Sequence, residues 1–238
     1  MLIHCDVKSL ELVTAAYLSR DKTLIGEIKA GVDIHELNRA RFNLPERRIA
    51  KIFVFRLIYG GQAYSYAHDP DFNHISSSQK YWQEIIDTFY DKYSGVAAWH
   101  ETLVSTVQHT GKLVMPTGRV YSWDQKDVLN RPWFHRPKIL NYPVQGTGAD
   151  LVAIGRVAMW KRLHKADIKV LFQSTVHDSI DIDVNPCYNS SMVCKIMRNS
   201  IRDIPTNFER LFNHPFDLPL DCEISYGPTL DNQTPYKE

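Results

Sequence analysis

Residues 43–61, Asn43-Leu-Pro-Glu-Arg-Arg-Ile-Ala-Lys-Ile-Phe-Val-Phe-Arg-Leu-Ile-Tyr-Gly-Gly61, constrain this chain more than any other stretch. They read as a helix with both ends written in. Asn43 is a candidate cap, Pro45 suits a first turn, and Glu46 lies three residues after the cap. Gly60-Gly61 supplies the stop. Arg47, Lys51, Phe55 and Tyr59 recur every fourth residue and share one face. Ile49, Phe53 and Leu57 fall roughly 200° around the axis and suit a core. One face thus carries two cations followed by two aromatics. Cations hold phosphate, and aromatic rings offer a base or sugar a flat surface. Taken alone, the same pattern also describes an ordinary amphipathic helix with solvated cations.

Composition narrows the alternatives. The 238 residues make one large domain or two small ones, and 44% hydrophobic with 23% charged residues is ordinary for a globular protein. The net charge of +1 announces no polyanion partner, so any nucleic-acid site must be local. Cys5, Cys187, Cys194 and Cys222 form no C-x-x-C pair and no zinc spacing, which predicts free or buried thiols. No apolar run approaches membrane length and no signal peptide is visible.

Taken in order, residues 2–5 read as a short buried strand that delivers Asp6 at its end, and residues 9–19 as a helix with Glu11 in its first turn. Asp6 there is either a metal ligand or a cap of the next helix. Ser19-Arg20-Asp21 and Gly31-Val-Asp33-Ile-His35-Glu36 look like helix junctions. After the central helix come a short helix over 62–68 and a long one from Ser76–Ser78 to Tyr93, with Trp82, Ile85, Ile86, Phe89 and Tyr90 on its apolar stripe. Gly95 separates that helix from another ending near Gly111. Residues 112–115 and 119–123 flank Pro116-Thr-Gly118 as a hairpin, and residues 124–136 read as irregular. Asn141-Tyr-Pro-Val-Gln145-Gly-Thr-Gly-Ala-Asp150 opens a helix to about Lys165. Residues 169–184 make two strands around a turn that presents His177-Asp178-Ser179, with Ile180, Ile182 and Val184 alternating with Asp181 and Asp183. A helix near 188–202 and a strand near 221–226 follow, and the last seven residues read as a frayed tail.

Four elements stand in a telling order: Asp6 with Glu11; Arg47-x3-Lys51-x3-Phe55-x3-Tyr59-Gly60; Gln145-Gly-Thr-Gly-Ala-Asp150; and Val176-His177-Asp178. Together they resemble the palm and fingers of family A DNA polymerases, over residues 2–227. The resemblance implies an α+β fold, a right-hand palm with an antiparallel sheet and mainly helical fingers. Residues 1–19 would be palm, 20–124 fingers and adjoining helices, and 125–238 palm.

It also implies template-directed addition of deoxynucleotides to a primer 3′ end. Asp6 and Asp178, each at a strand end, would hold two Mg²⁺ ions, with Mn²⁺ as a substitute. Arg47 and His35 would hold the triphosphate tail, and Lys51 would contact phosphate and protonate the leaving pyrophosphate. Phe55 would pack on the incoming sugar and Tyr59 near the templating base. Glu11 with Tyr59 would exclude a ribose 2′-hydroxyl, and Asn141, Gln145 and His177 would contact primer or template. The expected location is the cytoplasm of a bacterium or a phage-infected host.

Some positions depart from the family pattern. Ser179 stands where a Glu is usual, as in single-subunit RNA polymerases; those enzymes lack a residue of the Glu11 kind and the Gln-Gly-Thr-x-Ala-Asp motif. Pro137 replaces a common arginine, for which Arg136 or Lys138 could substitute, and Arg56 replaces a glycine. Only five residues precede Asp6, so the thumb and exonuclease domains are expected to be absent, as in a split, phage-like polymerase or a fragment. The expected partners are primer–template DNA, dNTPs and a second chain carrying a thumb, with or without an exonuclease. The competing readings are a non-catalytic polymerase remnant that docks on DNA or a replisome, and a relative of the RNA polymerases.

Overall fold

A computed structural model of the chain describes residues 1–123, 126–128 and 131–237. The chain divides into two compact units: residues 1–10 with 146–238, and residues 11–145.

The first unit is built on an antiparallel sheet. Its strands are β1 (Leu2–Val7), β6 (Val170–Val176), β7 (Ser179–Val184), β8 (Cys222–Gly227) and the two-residue β9 (Thr234–Pro235), in the order β6-β7-β1-β8-β9. β1 is interior and lies beside the strand that follows Asp178. It pairs with β7 (Cys5 opposite Ile180, Asp6 opposite Ser179) and with β8 (Asp6 opposite Glu223). Strand alternation then sorts the side chains. Ile3, Cys5, Val7, Ile180, Ile182, Cys222 and Ile224 are buried on one face, where helix α9 (Ser190–Arg202) packs against β1 and β8. Leu2, His4 and Asp6 occupy the other face.

Helix α8 (Arg136–Lys165) begins five residues before the expected Asn141 and runs through Pro143. Proline removes one donor from the ladder without ending the helix. Close to its middle, a Cβ on Gly155 would lie 2.9 Å from Ile201 and 3.0 Å from Ile204, so the bare backbone lets the neighbouring helices approach. Two elements differ from expectation. Helix α10 (Ile204–Phe212) extends the helical layer beyond 202. The expected frayed tail is partly ordered: Thr234–Pro235 pairs with β8, Tyr236 N–H donates to the Ile224 carbonyl at 2.8 Å, and the Arg198 guanidinium covers the Tyr236 ring at 5.0 Å.

The second unit is mainly helical: α1 (Leu10–Ser19), α2 (Lys22–Lys29), α3 (Ile34–Arg41), α4 (Arg47–Ile58), α5 (Ala63–His68), α6 (Gln79–Lys92) and α7 (Ser94–Thr110). Two small hairpins follow, β2 (Lys112–Val114) with β3 (Val120–Ser122) and β4 (Lys126–Val128) with β5 (Arg131–Trp133). The second replaces the irregular segment expected over 124–136, whose residues 124, 125, 129 and 130 lie outside the described residues.

The expected cap of α4 is also corrected. Asn43 has φ +51° and closes the end of α3, where the next N–H, of Leu44, returns to the Arg39 carbonyl at 3.0 Å. The helix starts four residues later, with Glu46 at the cap position and no side-chain cap bond. Its end agrees with the sequence: Gly60 adopts φ +84°, a conformation only glycine takes without strain. The buried stripe Ile49, Phe53 and Leu57 packs into an aromatic cluster, with Phe53 4.8 Å from Tyr66 and 6.0 Å from Trp82 between ring centroids.

Asp21 ties this unit together. It is 2% exposed. Its Oδ1 accepts from Leu24 N–H (2.8 Å), capping α2, and its Oδ2 accepts from Gly95 (2.7 Å) and Val96 (3.3 Å), capping α7. A Cβ on Gly95 would lie 2.7 Å from the Asp21 backbone, so only glycine permits this approach. Gly95 therefore sits in the first turn of α7 rather than ahead of it. Asp21→Ala removes two helix caps and strands buried N–H groups, and is expected to cost about 2–4 kcal/mol. Urea unfolding of the variant measures this; a loss below about 0.5 kcal/mol would show the double cap to be energetically idle.

Candidate nucleotide-binding and catalytic site

The sheet unit contributes Asp6, His177 and Asp178. Strands β6 and β7 are joined by the two residues His177 and Asp178, and His177 takes φ +53° to close the turn. The Val7 N–H donates to the Asp178 carbonyl at 3.0 Å. Asp6 and Asp178 are thereby held on neighbouring strand ends, one residue out of register, both partly exposed. Ser179, opposite Asp6, is 8% exposed, and its hydroxyl donates to the Val176 carbonyl at 3.0 Å. Among the described residues no cluster of three or more His, Cys, Asp or Glu side chains forms a ready metal cage. Two carboxylates are a fitting donor set for Mg²⁺, which binds through one or two protein oxygens together with substrate phosphates and water.

The helical unit contributes Glu11, His35, Arg47, Lys51, Phe55, Tyr59, Asn141 and Gln145. Arg47 and Lys51 are exposed on α4, while Phe55 and Tyr59 are half-buried on the same face. The Lys51 ammonium stands 5.5 Å from the Phe55 ring centroid. His35, in the first turn of α3, meets Phe55 edge-on at 5.4 Å and 76°. Asp33 organises the approach: it caps α3 by accepting from His35 N–H (3.1 Å) and Glu36 N–H (3.0 Å), and accepts from Arg47 Nε at 2.6 Å. The hydrogen bond from Arg47 holds the Asp33 carboxyl below its usual range. The sequence did not disclose this pairing. At the other end of the face, Gln145 Nε2 donates to the Tyr59 hydroxyl. Asn141 and Gln145 are four residues apart on α8 and share a side of it.

His35 is 5% exposed, and its Nδ1 has no hydrogen-bond partner among the described residues. Burial, then Arg47 and Lys51, push its pKa down to about 4, against a smaller opposing pull from Asp33. The ring is neutral at pH 7 and feels the charges of both cations.

The chain matches the model of DNA polymerase family A over residues 1–232 and belongs to that family. It is 28% identical over 207 residues to DNA polymerase I of Treponema pallidum, covering 82% of this chain and 20% of that protein. To the thermostable DNA polymerase I of Thermus aquaticus it is 26% identical over 238 residues, covering 95% and 26%. Its fold matches the polymerase domain of Pol1 from M. smegmatis, solved in complex with DNA primer-template and dNTP, with a TM-score of 0.79 and 21% identity. That match covers 97% of this chain and 40% of the other. The mixed helical and antiparallel-sheet architecture is that of the polymerase domain. The chain thus spans about a fifth to a quarter of the length of these polymerase I relatives. No helix among the described residues is long and apolar enough to cross a membrane.

The state of His35 has a measurable consequence. Between pH 6.5 and about 4 the unfolded chain takes a proton that the folded ring refuses. The stability His35 retains is therefore whole above pH 6.5 and falls as the pH drops toward 4. His35→Gln should flatten this part of the stability–pH curve by up to about 3 kcal/mol at its acid end. Denaturant unfolding of both proteins at pH 7 and pH 4.5 checks it; equal slopes would contradict the buried neutral ring.

Proposed function

We propose that this chain is the nucleotide-adding portion of a DNA polymerase, extending a primer 3′ end on a template. The observation that carries the reading is that Asp6 and Asp178 lie at adjacent strand ends, one residue out of register, in a chain that also carries the Arg47–Lys51–Phe55–Tyr59 face. Residues 1–19 and 125–238 are read as palm and residues 20–124 as fingers. Two Mg²⁺ ions, or Mn²⁺, held by Asp6 and Asp178 would supply Lewis-acid stabilisation of the charge that builds on the reacting phosphates.

The chain's own groups account for the rest. Arg47 and Lys51 offer charge-assisted donors to a triphosphate, Arg47 by trading its bond with Asp33. The unpartnered Nδ1 of His35, which feels the charge of both cations, would gain a phosphate or water partner. Lys51 would deliver a proton to the departing pyrophosphate. Phe55 gives the nucleotide a flat apolar floor, while Tyr59, held by Gln145, would sit by the templating base. Glu11 would reject a ribose hydroxyl, and Asn141 and His177 would contact the primer–template. A net charge of +1 leaves little long-range attraction for duplex DNA. That supports a second chain carrying a thumb, with or without an exonuclease, in the same cytoplasmic compartment.

The test is metal-dependent primer extension, alone and with candidate thumb-bearing partners. Asp6→Ala and Asp178→Ala are each expected to abolish incorporation with the fold intact by circular dichroism; full activity in either would sink the assignment. Lys51→Ala should lower turnover by roughly 10²-fold, and Glu11→Ala should relax discrimination against ribonucleotides. Unchanged rate and unchanged sugar selectivity in that pair would mean that the α4 face does not meet the nucleotide.

A further inference from the structure

A second polar row crosses the sheet face that carries Asp6. Two residues back along β1, His4 stands opposite Asp181 on β7 and opposite Ser225 on β8. His4 Nδ1 and Asp181 Oδ1 are 2.7 Å apart, and Ser174 Oγ on β6 donates to Asp181 Oδ2 at 2.5 Å. Ser225 Oγ donates to Gln233 Oε1, also at 2.5 Å. Asp181 has its side chain 10% exposed, whereas the His4 ring is 35% exposed. A nearly buried carboxylate, anchored on one oxygen by a serine, thus holds an accessible imidazole in one orientation. Simple sheet stability needs no such group at this position: the opposite face, with Ile3, Cys5, Ile180 and Ile182 at 0% exposure, already supplies the apolar contact.

The bond fixes the chemistry that His4 can offer. A carboxylate only accepts, so Nδ1 carries the proton, and in the neutral ring the nitrogen left for a ligand, Nε2, presents a lone pair. His4 therefore seeks a hydrogen-bond donor. Two residues of strand advance about 6.8 Å, roughly two base-pair rises, so a duplex running back along β1 from a 3′ hydroxyl at Asp6 would bring its last base pairs within reach of His4. That hydroxyl belongs to a sugar, and the sugars border the minor groove. Most minor-groove groups are acceptors; the donor there is the guanine 2-amino group, to which an RNA strand adds its 2′-hydroxyl.

We propose that His4, oriented by Asp181 and Ser174, accepts a hydrogen bond from a minor-groove donor of the terminal primer–template base pairs. This makes His4 a specificity-determining contact and Asp181 its positioning residue; it rests on the polymerase reading above.

The experiment compares matched primer–templates with guanine or inosine, which lacks the 2-amino group, at each of the last three primer positions, and DNA with RNA primers of one sequence. The unaltered protein, with its thumb-bearing partner if one is needed for binding, should bind one donor-bearing duplex about fivefold more tightly, the effect of one hydrogen bond. The difference should fall on the KM for primer–template and leave kcat unchanged. It should vanish in His4→Phe, return in part in His4→Gln, whose amide oxygen accepts, and shrink in Asp181→Asn. A guanine effect identifies the base amino group, and an RNA-primer effect the sugar hydroxyl. If neither substitution matters to the unaltered protein, or His4→Phe retains the preference, the contact is refuted and the row is a cross-strand support only. The comparison on the unaltered protein decides the question even if His4→Phe does not fold. A protein that binds no primer–template at all overturns the polymerase reading and this contact with it; binding without donor preference overturns this contact alone.

Discussion

The pairing of β1 on both edges is the constraint from which the sheet unit follows. A strand hydrogen-bonded to β7 on one side and β8 on the other has its backbone groups committed to two ladders, and its two faces must serve opposite purposes. Ile3, Cys5 and Val7 go to the core; Leu2, His4 and Asp6 go to the open face. A slip of one residue against either neighbour would bury Asp6 and expose Ile3, Cys5 and Val7 together. The desolvation cost of an unpaired carboxylate and the loss of apolar burial both oppose it. The placement of Asp6 is therefore secured by the hydrophobic half of its own strand. The Val7-to-Asp178 backbone bond carries the same register to the second aspartate.

A comparable division of labour governs α4. Its inner stripe is locked into an aromatic cluster, which fixes the helix's rotation about its axis, and that rotation alone puts Arg47 and Lys51 outward. The resulting cationic field and the burial of His35 act together on one ring, which is why its protonation is opposed so strongly. Asp33 offsets part of that field and caps α3 with the same carboxylate, so the local charge of the face and the position of His35 are set by one side chain.

Much of this was legible in the chain because the decisive patterns are local. Period four in 47–59 and period two in 180–184 follow directly from helix and strand geometry, and the ordered motifs identified the family. What stayed hidden depended on competition between neighbours. Asn43 is a good cap by type, but the end of α3 needed a residue with positive φ and took it. The sequence opens helix α8 at Asn141, yet it starts at Arg136 and runs through Pro143, because a long helix tolerates one missing donor. The tail at 234–236 has no strand signal of its own and is ordered by β8 and Arg198. The His4–Asp181 pair is 177 residues apart and became visible only when the register of β1 against β7 was known.

Ser179 shows how that register changes the meaning of a residue. As a bare substitution it reads as a lost carboxylate beside Asp178. In the folded chain it lies opposite Asp6, almost buried, and its hydroxyl closes the hairpin onto the Val176 carbonyl. A glutamate in that place would bring a third negative charge beside Asp6 and Asp178 and would have no proton to give that carbonyl at neutral pH. The serine instead lowers the repulsion that two neighbouring carboxylates must bear before any cation joins them. Its cost is one fewer oxygen ligand, which a hard cation that retains its waters can supply from solvent. The turn is thus tightened by the same residue that thins its charge, and Asp6 and Asp178 are left as the carboxylates at these two strand ends.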